Sequence, residues 1–122
     1  MKHIALIGLI ALLPAACGGG DAGPKLDPAT VAAGKKLFVE KGCVLCHGEK
    51  GDGDTPTGKA LTPPPRNYTD AKWQASVTDD HIKKVVKEGG AANGLSPTMA
   101  AYPDTTDQQL TELVAFIRSV KK

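Results

Sequence analysis

Aromatic side chains are scarce in this chain of 122 residues: two Phe, two Tyr and one Trp make up 4% of it. A small domain with so few large apolar rings builds only a thin core from its own side chains. Histidine and cysteine are also few, three of each, which restricts metal chemistry. A structural zinc site needs four Cys or His ligands at suitable spacing. Beyond His47 the chain offers only His81, and no cysteine follows Cys46. Charge of neither sign dominates, with 15 Lys and Arg against 13 Asp and Glu, mixed along the chain. Nucleic-acid binding calls for a basic stripe and has no support in that balance. Long hydrophobic runs are missing too. The stretch Ile4 to Leu13 falls well below the roughly 20 residues that span a bilayer. There is no internal repeat and no alternation that reads as a strand.

What the chain does have is Cys43-Val44-Leu45-Cys46-His47. A Cys-x-x-Cys-His run reads as a c-type haem attachment site. Two thiols one helical turn apart can both add to the vinyl groups on one edge of a porphyrin. The histidine that follows then offers an imidazole nitrogen as the proximal iron ligand. The plainer readings are half a zinc site, a redox pair or a short disulfide. Zinc lacks the other ligands, and a thioredoxin-like pair would want a βαβ setting that is not visible. One haem c, covalently held by Cys43 and Cys46, is therefore expected. Its bulk would supply much of the core that the side chains lack.

Residues 1–16 read as an export signal, with Lys2 and His3 as the basic start and Ile4 to Leu13 as its apolar stretch. Ala15-Ala16-Cys17 then resembles a bacterial lipoprotein site, where cleavage precedes a cysteine that is diacylated. Pro14 stands where that pattern usually has Leu, and Leu13 comes one place early. Cleavage after Gly18 is the competing reading. Lipidation of Cys17 is preferred because an exported protein with an odd, unpaired thiol calls for a covalent fate. The expected product is an exported chain on the periplasmic side of a bacterial membrane, either lipid-anchored or free. Residues 17–26, rich in Gly with Asp and Pro, read as a flexible tether. At full stretch it reaches about 35 Å.

Residues 27–122 read as one domain. Asp27-Pro28 caps a first helix running to about Lys41, with Val31, Gly34, Leu37 and Phe38 on one face. Gly48 to Tyr68 reads as a long loop that would wrap the histidine side of the haem. A short helix is expected around Trp73. Another opens at Thr78-Asp79-Asp80, has Ile82, Val85 and Val86 as its buried stripe, and stops at Gly89-Gly90. Ala91 to Thr105 reads as loop. A capping box, Thr106-Asp107-Gln108-Gln109, starts a last helix with Leu110, Leu113, Val114, Ile117 and Val120 facing inward. The fold class is all-α, roughly three to five helices around the haem.

The second axial position separates electron transfer from ligand chemistry. Met99 sits in a Ser96-Pro97-Thr98-Met99 loop rather than on a helical stripe, so the usual role of methionine as core filler fits it poorly. His81, beside acids and lysines near a helix start, reads as a solvent-facing side chain. Met99 is the expected ligand. Lys35, Lys36, Lys83, Lys84 and Lys87 read as solvated helix faces, with steering of an acidic partner as the alternative.

Together, Gly34, Phe38, the Cys43–His47 run with Gly48, Gly51-Asp52-Gly53-Asp54, the Pro63-to-Asp70 segment, the Met99 loop and Phe116-Ile117-Arg118 resemble the small class I c-type cytochromes, monohaem periplasmic carriers. The resemblance covers about Asp27 to Val120. Proline often follows the ligand methionine in that family, where this chain has Ala100. The resemblance implies first and last helices crossing beside the haem, with Phe38 and Phe116 packed at the crossing. It implies a proline carbonyl from the 63–65 run, Pro63 and Pro65 among the candidates, accepting the Nδ1–H of His47. It makes Arg66, Tyr68 and Trp73 candidates to hold the propionates. The implied function is membrane-tethered one-electron transfer with redox-protein partners, and not an enzyme. The alternatives are a haem-bearing subunit of a larger respiratory complex, or a ligand sensor or peroxidase.

Overall fold

The computed structural model describes residues 26–122. The expected signal at 1–16, Cys17 and the tether up to residue 25 lie outside the described residues. The elements in chain order are α1 (Pro28–Glu40), α2 (Val44–His47), α3 (Pro56–Ala60), α4 (Ala71–Ser76), α5 (Asp79–Glu88), a 3₁₀ turn (Ala91–Asn93) and α6 (Asp107–Ser119). There is no strand among the described residues. No described helix is long and apolar enough to cross a membrane.

Helix starts follow the side chains that cap them. Asp27 accepts from the backbone N–H groups of Ala29 and Thr30, and Pro28 gives up no hydrogen bond by standing first. Thr106 accepts from the Gln109 N–H while the Gln109 side chain accepts from the Thr106 N–H, which is the expected capping box. Six α-helices among the described residues exceed the number expected from periodicity. The excess comes from α2 and α3, four and five residues long. Helix α3 lies inside the stretch read as continuous loop. Thr55 caps it and Pro56 opens it, a local start signal in a segment too short for an apolar period to register.

Helices α1 and α6 meet along their length and carry the core. Phe38, Leu113, Val114 and Ile117 are each no more than 2% exposed. The Phe38 and Phe116 rings stand 5.0 Å apart at the contact. Gly34 makes this approach possible: a Cβ there would lie 1.9 Å from the Glu112 carbonyl oxygen and 2.6 Å from its carbon. Those are backbone atoms of α6 and cannot rotate away. Helix α5 adds Ile82 and Val86 to the same core. Val85, expected in that stripe, is half-buried and faces a cavity instead.

Overfilling a packed contact costs about 1–3 kcal/mol, and a backbone clash puts Gly34→Ala at the top of that range or above it. A fall in Tm of roughly 12 °C or more is expected in thermal unfolding of the haem-loaded protein. An unchanged Tm would mean that the helices do not meet at Gly34.

Candidate haem-binding site

The Cys43–His47 run forms one helical turn. Cys43 caps α2 with helical dihedral angles, and its carbonyl accepts from the N–H groups of Cys46 at 3.3 Å and His47 at 2.9 Å. The two thiols therefore sit one turn apart, each half-buried and free of any disulfide. Burial pushes the Cys43 thiol pKa up. The chain then turns beneath the histidine: the His47 carbonyl accepts from Gly53 N–H at 2.8 Å, and the Gly51 carbonyl from Tyr68 N–H at 2.7 Å. The segment around Tyr68 is thereby laid against His47.

The imidazole of His47 is 8% exposed and has a partner at each nitrogen. Nδ1 faces the Arg66 carbonyl at 3.4 Å, and Nε2 faces the Tyr68 hydroxyl at 3.1 Å. A carbonyl only accepts, so Nδ1 carries the proton and Nε2 presents its lone pair. Burial lowers the His47 pKa more than the Arg66 carbonyl raises it, which favours the neutral ring. Tyr68 lies nearly flat on the imidazole, with centroids 4.5 Å apart and planes inclined by 15°. Burial pushes the phenol pKa up, so its O–H remains a donor. The acceptor for Nδ1–H is thus Arg66, not one of the prolines. The Pro65 ring and carbonyl lie against Gly53, and the first carbonyl turned to the histidine belongs to the next residue.

A cavity of about 680 Å³ opens beside His47, within the span of about 300–1,000 Å³ common for cofactor sites. Cys46 and His47 line it together with Pro63, Pro64, Pro65, Arg66, Tyr68 and Trp73. Ile82, Val85 and Val86 of α5 contribute apolar surface, and the segment from Gly94 to Ala100 with Tyr102 completes the wall. Met99 is among these, half-buried. So is His81, read from the sequence as solvent-facing, which is exposed on the same cavity wall. Of the two thiols only Cys46 lines this space; Cys43, one turn back, packs against the core. A soft sulfur, an imidazole lone pair and a thiol on an apolar space, with a second thiol one turn away, suit a haem covalently attached along one edge. The lone pair that a metal would take is the one now accepting from Tyr68, so metal binding replaces that bond.

Gln74, which the sequence did not single out, organises the surroundings. It is 6% exposed, and both of its amide N–H groups are used, on the Tyr68 carbonyl and the Ile117 carbonyl at 2.7 Å each. Its own oxygen accepts from Arg118 at 2.7 Å. Arg118 also reaches the Gln74 carbonyl, the Val77 carbonyl and Asp79 Oδ1, all within 2.7 Å. This clamp joins α4, α5 and α6 and fixes the backbone of Tyr68. A polar residue on a six-residue helix has no period that would have revealed it. Gln74→Leu leaves the Tyr68 and Ile117 carbonyls without this partner, at about 1–3 kcal/mol for each such group, and removes one of the four hydrogen bonds of Arg118. A urea midpoint lowered with its slope unchanged is expected for the haem-loaded variant. A wild-type midpoint would show that the clamp contributes nothing.

A family model described as Cytochrome c matches residues 31–121. Cytochrome c oxidase subunit 2 of Alkalihalophilus pseudofirmus is 28% identical over 91 residues, which are 72% of this chain and 25% of that protein. The chain thus spans about a quarter of the length of that relative. No solved structure matches it. The span matched by the family model takes in the Cys43–His47 turn, the whole cavity wall and nearly all of both crossing helices, and by it the chain belongs to the cytochrome c family.

Proposed function

We propose that the chain is a one-electron carrier tethered at the periplasmic face of a bacterial membrane. In this reading one haem c is joined to Cys43 and Cys46, with His47 and Met99 as axial ligands. The observation that carries it is the shared cavity: the His47 imidazole, its Nε2 lone pair met by the Tyr68 hydroxyl, and the Met99 thioether line one apolar space beside Cys46. When bound, the haem supplies an iron that cycles between ferric and ferrous states. The chain's own residues tune it. The Nδ1–H bond to Arg66 holds the imidazole plane and raises the basicity of Nε2. Thioether ligation and apolar walls favour the ferrous state and so raise the potential. With His47 and Met99 both holding the iron, the site would leave no open position for a substrate, which supports a carrier over an enzyme. Arg66 and Trp73, with N–H donors at the cavity, are the proposed partners of the propionates. Tyr68, whose hydroxyl faces Nε2 here, would join them if Nε2 held the iron.

A second reading, a haem-bearing subunit of a larger respiratory complex, is favoured by the relative named for oxidase subunit 2. Electron transfer to and from redox proteins is common to both. The tether belongs to the proposal on the strength of Ala15-Ala16-Cys17. In a bacterial host, Cys17→Ser is expected to move the protein from the membrane fraction to the soluble periplasm. A variant that stays with the membrane would exclude the lipid.

The test of the ligand set is the optical spectrum of wild type and Met99→Ala, oxidised and reduced. A weak near-infrared methionine–iron band is expected in wild type and absent from the variant, and carbon monoxide should bind only the reduced variant. A wild type without the band that takes carbon monoxide readily would overturn the carrier reading in favour of ligand chemistry.

A further inference from the structure

Helix α5 ends in two glycines, and the segment that carries Met99 is laid directly on them. Gly90 N–H donates to the Met99 carbonyl at 2.9 Å. The Gly90 carbonyl accepts from Leu95 N–H at 2.8 Å and Asn93 N–H at 3.0 Å. The Asn93 side chain donates to the Gly89 carbonyl at 2.8 Å. Beyond the loop, Tyr102 N–H returns to the Val86 carbonyl at 2.9 Å. The two glycines are needed for different reasons. Gly89 has φ +82°, a conformation that side chains disfavour. Gly90 has φ −67° and ψ −43°, which any residue adopts. Space is what it supplies: a Cβ there would lie 2.0 Å from the Ser96 carbonyl oxygen and 3.1 Å from the Met99 Cβ.

We propose that Gly90 is a positioning residue for Met99, its missing side chain setting how deep the methionine loop sits. This inference rests on the reading of Met99 as the second axial ligand. Thioether is a neutral, weak ligand, so its hold on iron depends on the loop delivering the sulfur without searching for it. A methyl group at position 90 pushes both Ser96 and Met99 outward, and the iron then opens to outside ligands. Gly90 thus keeps the protein a closed electron carrier.

The experiment compares haem-loaded wild type, Gly90→Ala and Thr106→Ala in the optical spectrum, carbon monoxide binding and reduction potential. Thr106→Ala is the control, because it removes the α6 cap and lowers stability without touching the cavity. For Gly90→Ala the expected result is loss or marked weakening of the near-infrared band, carbon monoxide binding when reduced, and a lower potential. The covalent haem and the helical circular dichroism remain. Thr106→Ala keeps the band despite its lower Tm. If Gly90→Ala does not accumulate, Asn93→Ala removes a strap of the same seat without adding bulk, and a weakened band is expected there too. A full band with no carbon monoxide binding in Gly90→Ala, or in Asn93→Ala where that variant replaces it, would overturn the inference and leave the ligand set standing. A wild type lacking the band, unchanged by Met99→Ala, would remove the reading beneath it.

Discussion

The close approach of α1 to α6 is the contact on which the rest of the molecule depends. At Gly34 a helix backbone rests against the backbone of another helix, with no side chain between them. This brings Phe38 onto Phe116 and extends the same packed surface to Tyr68, whose ring lies 6.3 Å from Phe38. Tyr68 in turn covers His47. A chain with few aromatic residues thus places most of them on one continuous path from the helix crossing to His47. Dispersion and area burial along that path hold the Cys43–His47 turn in place, since α2 is far too short to be stable alone.

Polar groups finish what packing begins. Gln74 uses both amide N–H groups and Arg118 makes four hydrogen bonds, to three oxygens of α4 and its end and to one carboxylate, which ties α4, α5 and α6 to the Tyr68 backbone. The Arg66 carbonyl settles which imidazole nitrogen of His47 holds the proton. The two sides of the cavity are built differently. The histidine is secured by stacking and burial, whereas the methionine loop is secured by hydrogen bonds with two glycines, backbone ones at Gly90 and one from the Asn93 side chain at Gly89. Such a loop is easier to displace than a buried ring, because a few hydrogen bonds and one absent methyl group hold it.

Much of the fold was legible from local signals. Asp27-Pro28, Thr78 and the Thr106–Gln109 box marked helix starts that the structure keeps, because a cap is an interaction between neighbours in sequence. The 3.6-residue stripes of α1 and α6 named their buried faces for the same reason. Helix α3 escaped because five residues hold no period. The Arg66 carbonyl was mistaken for a proline's because three prolines in a row gave no hint of where the chain would turn. Gln74 was invisible, since its three partners are distant in sequence or belong to the backbone.

By itself the sequence determined the candidate chemistry: a Cys-x-x-Cys-His turn presents two thiols and an imidazole at fixed spacing, the pattern of a haem attachment site, and the composition offers few large apolar rings for a core. Only the tertiary structure decided which carbonyl meets Nδ1, that Tyr68 lies flat on the imidazole, and that Gly90 is glycine for space rather than for its backbone angles. Spacing along a chain specifies which groups one helical turn can present together. Contacts between segments tens of residues apart depend on how whole helices pack, and no local pattern encodes that.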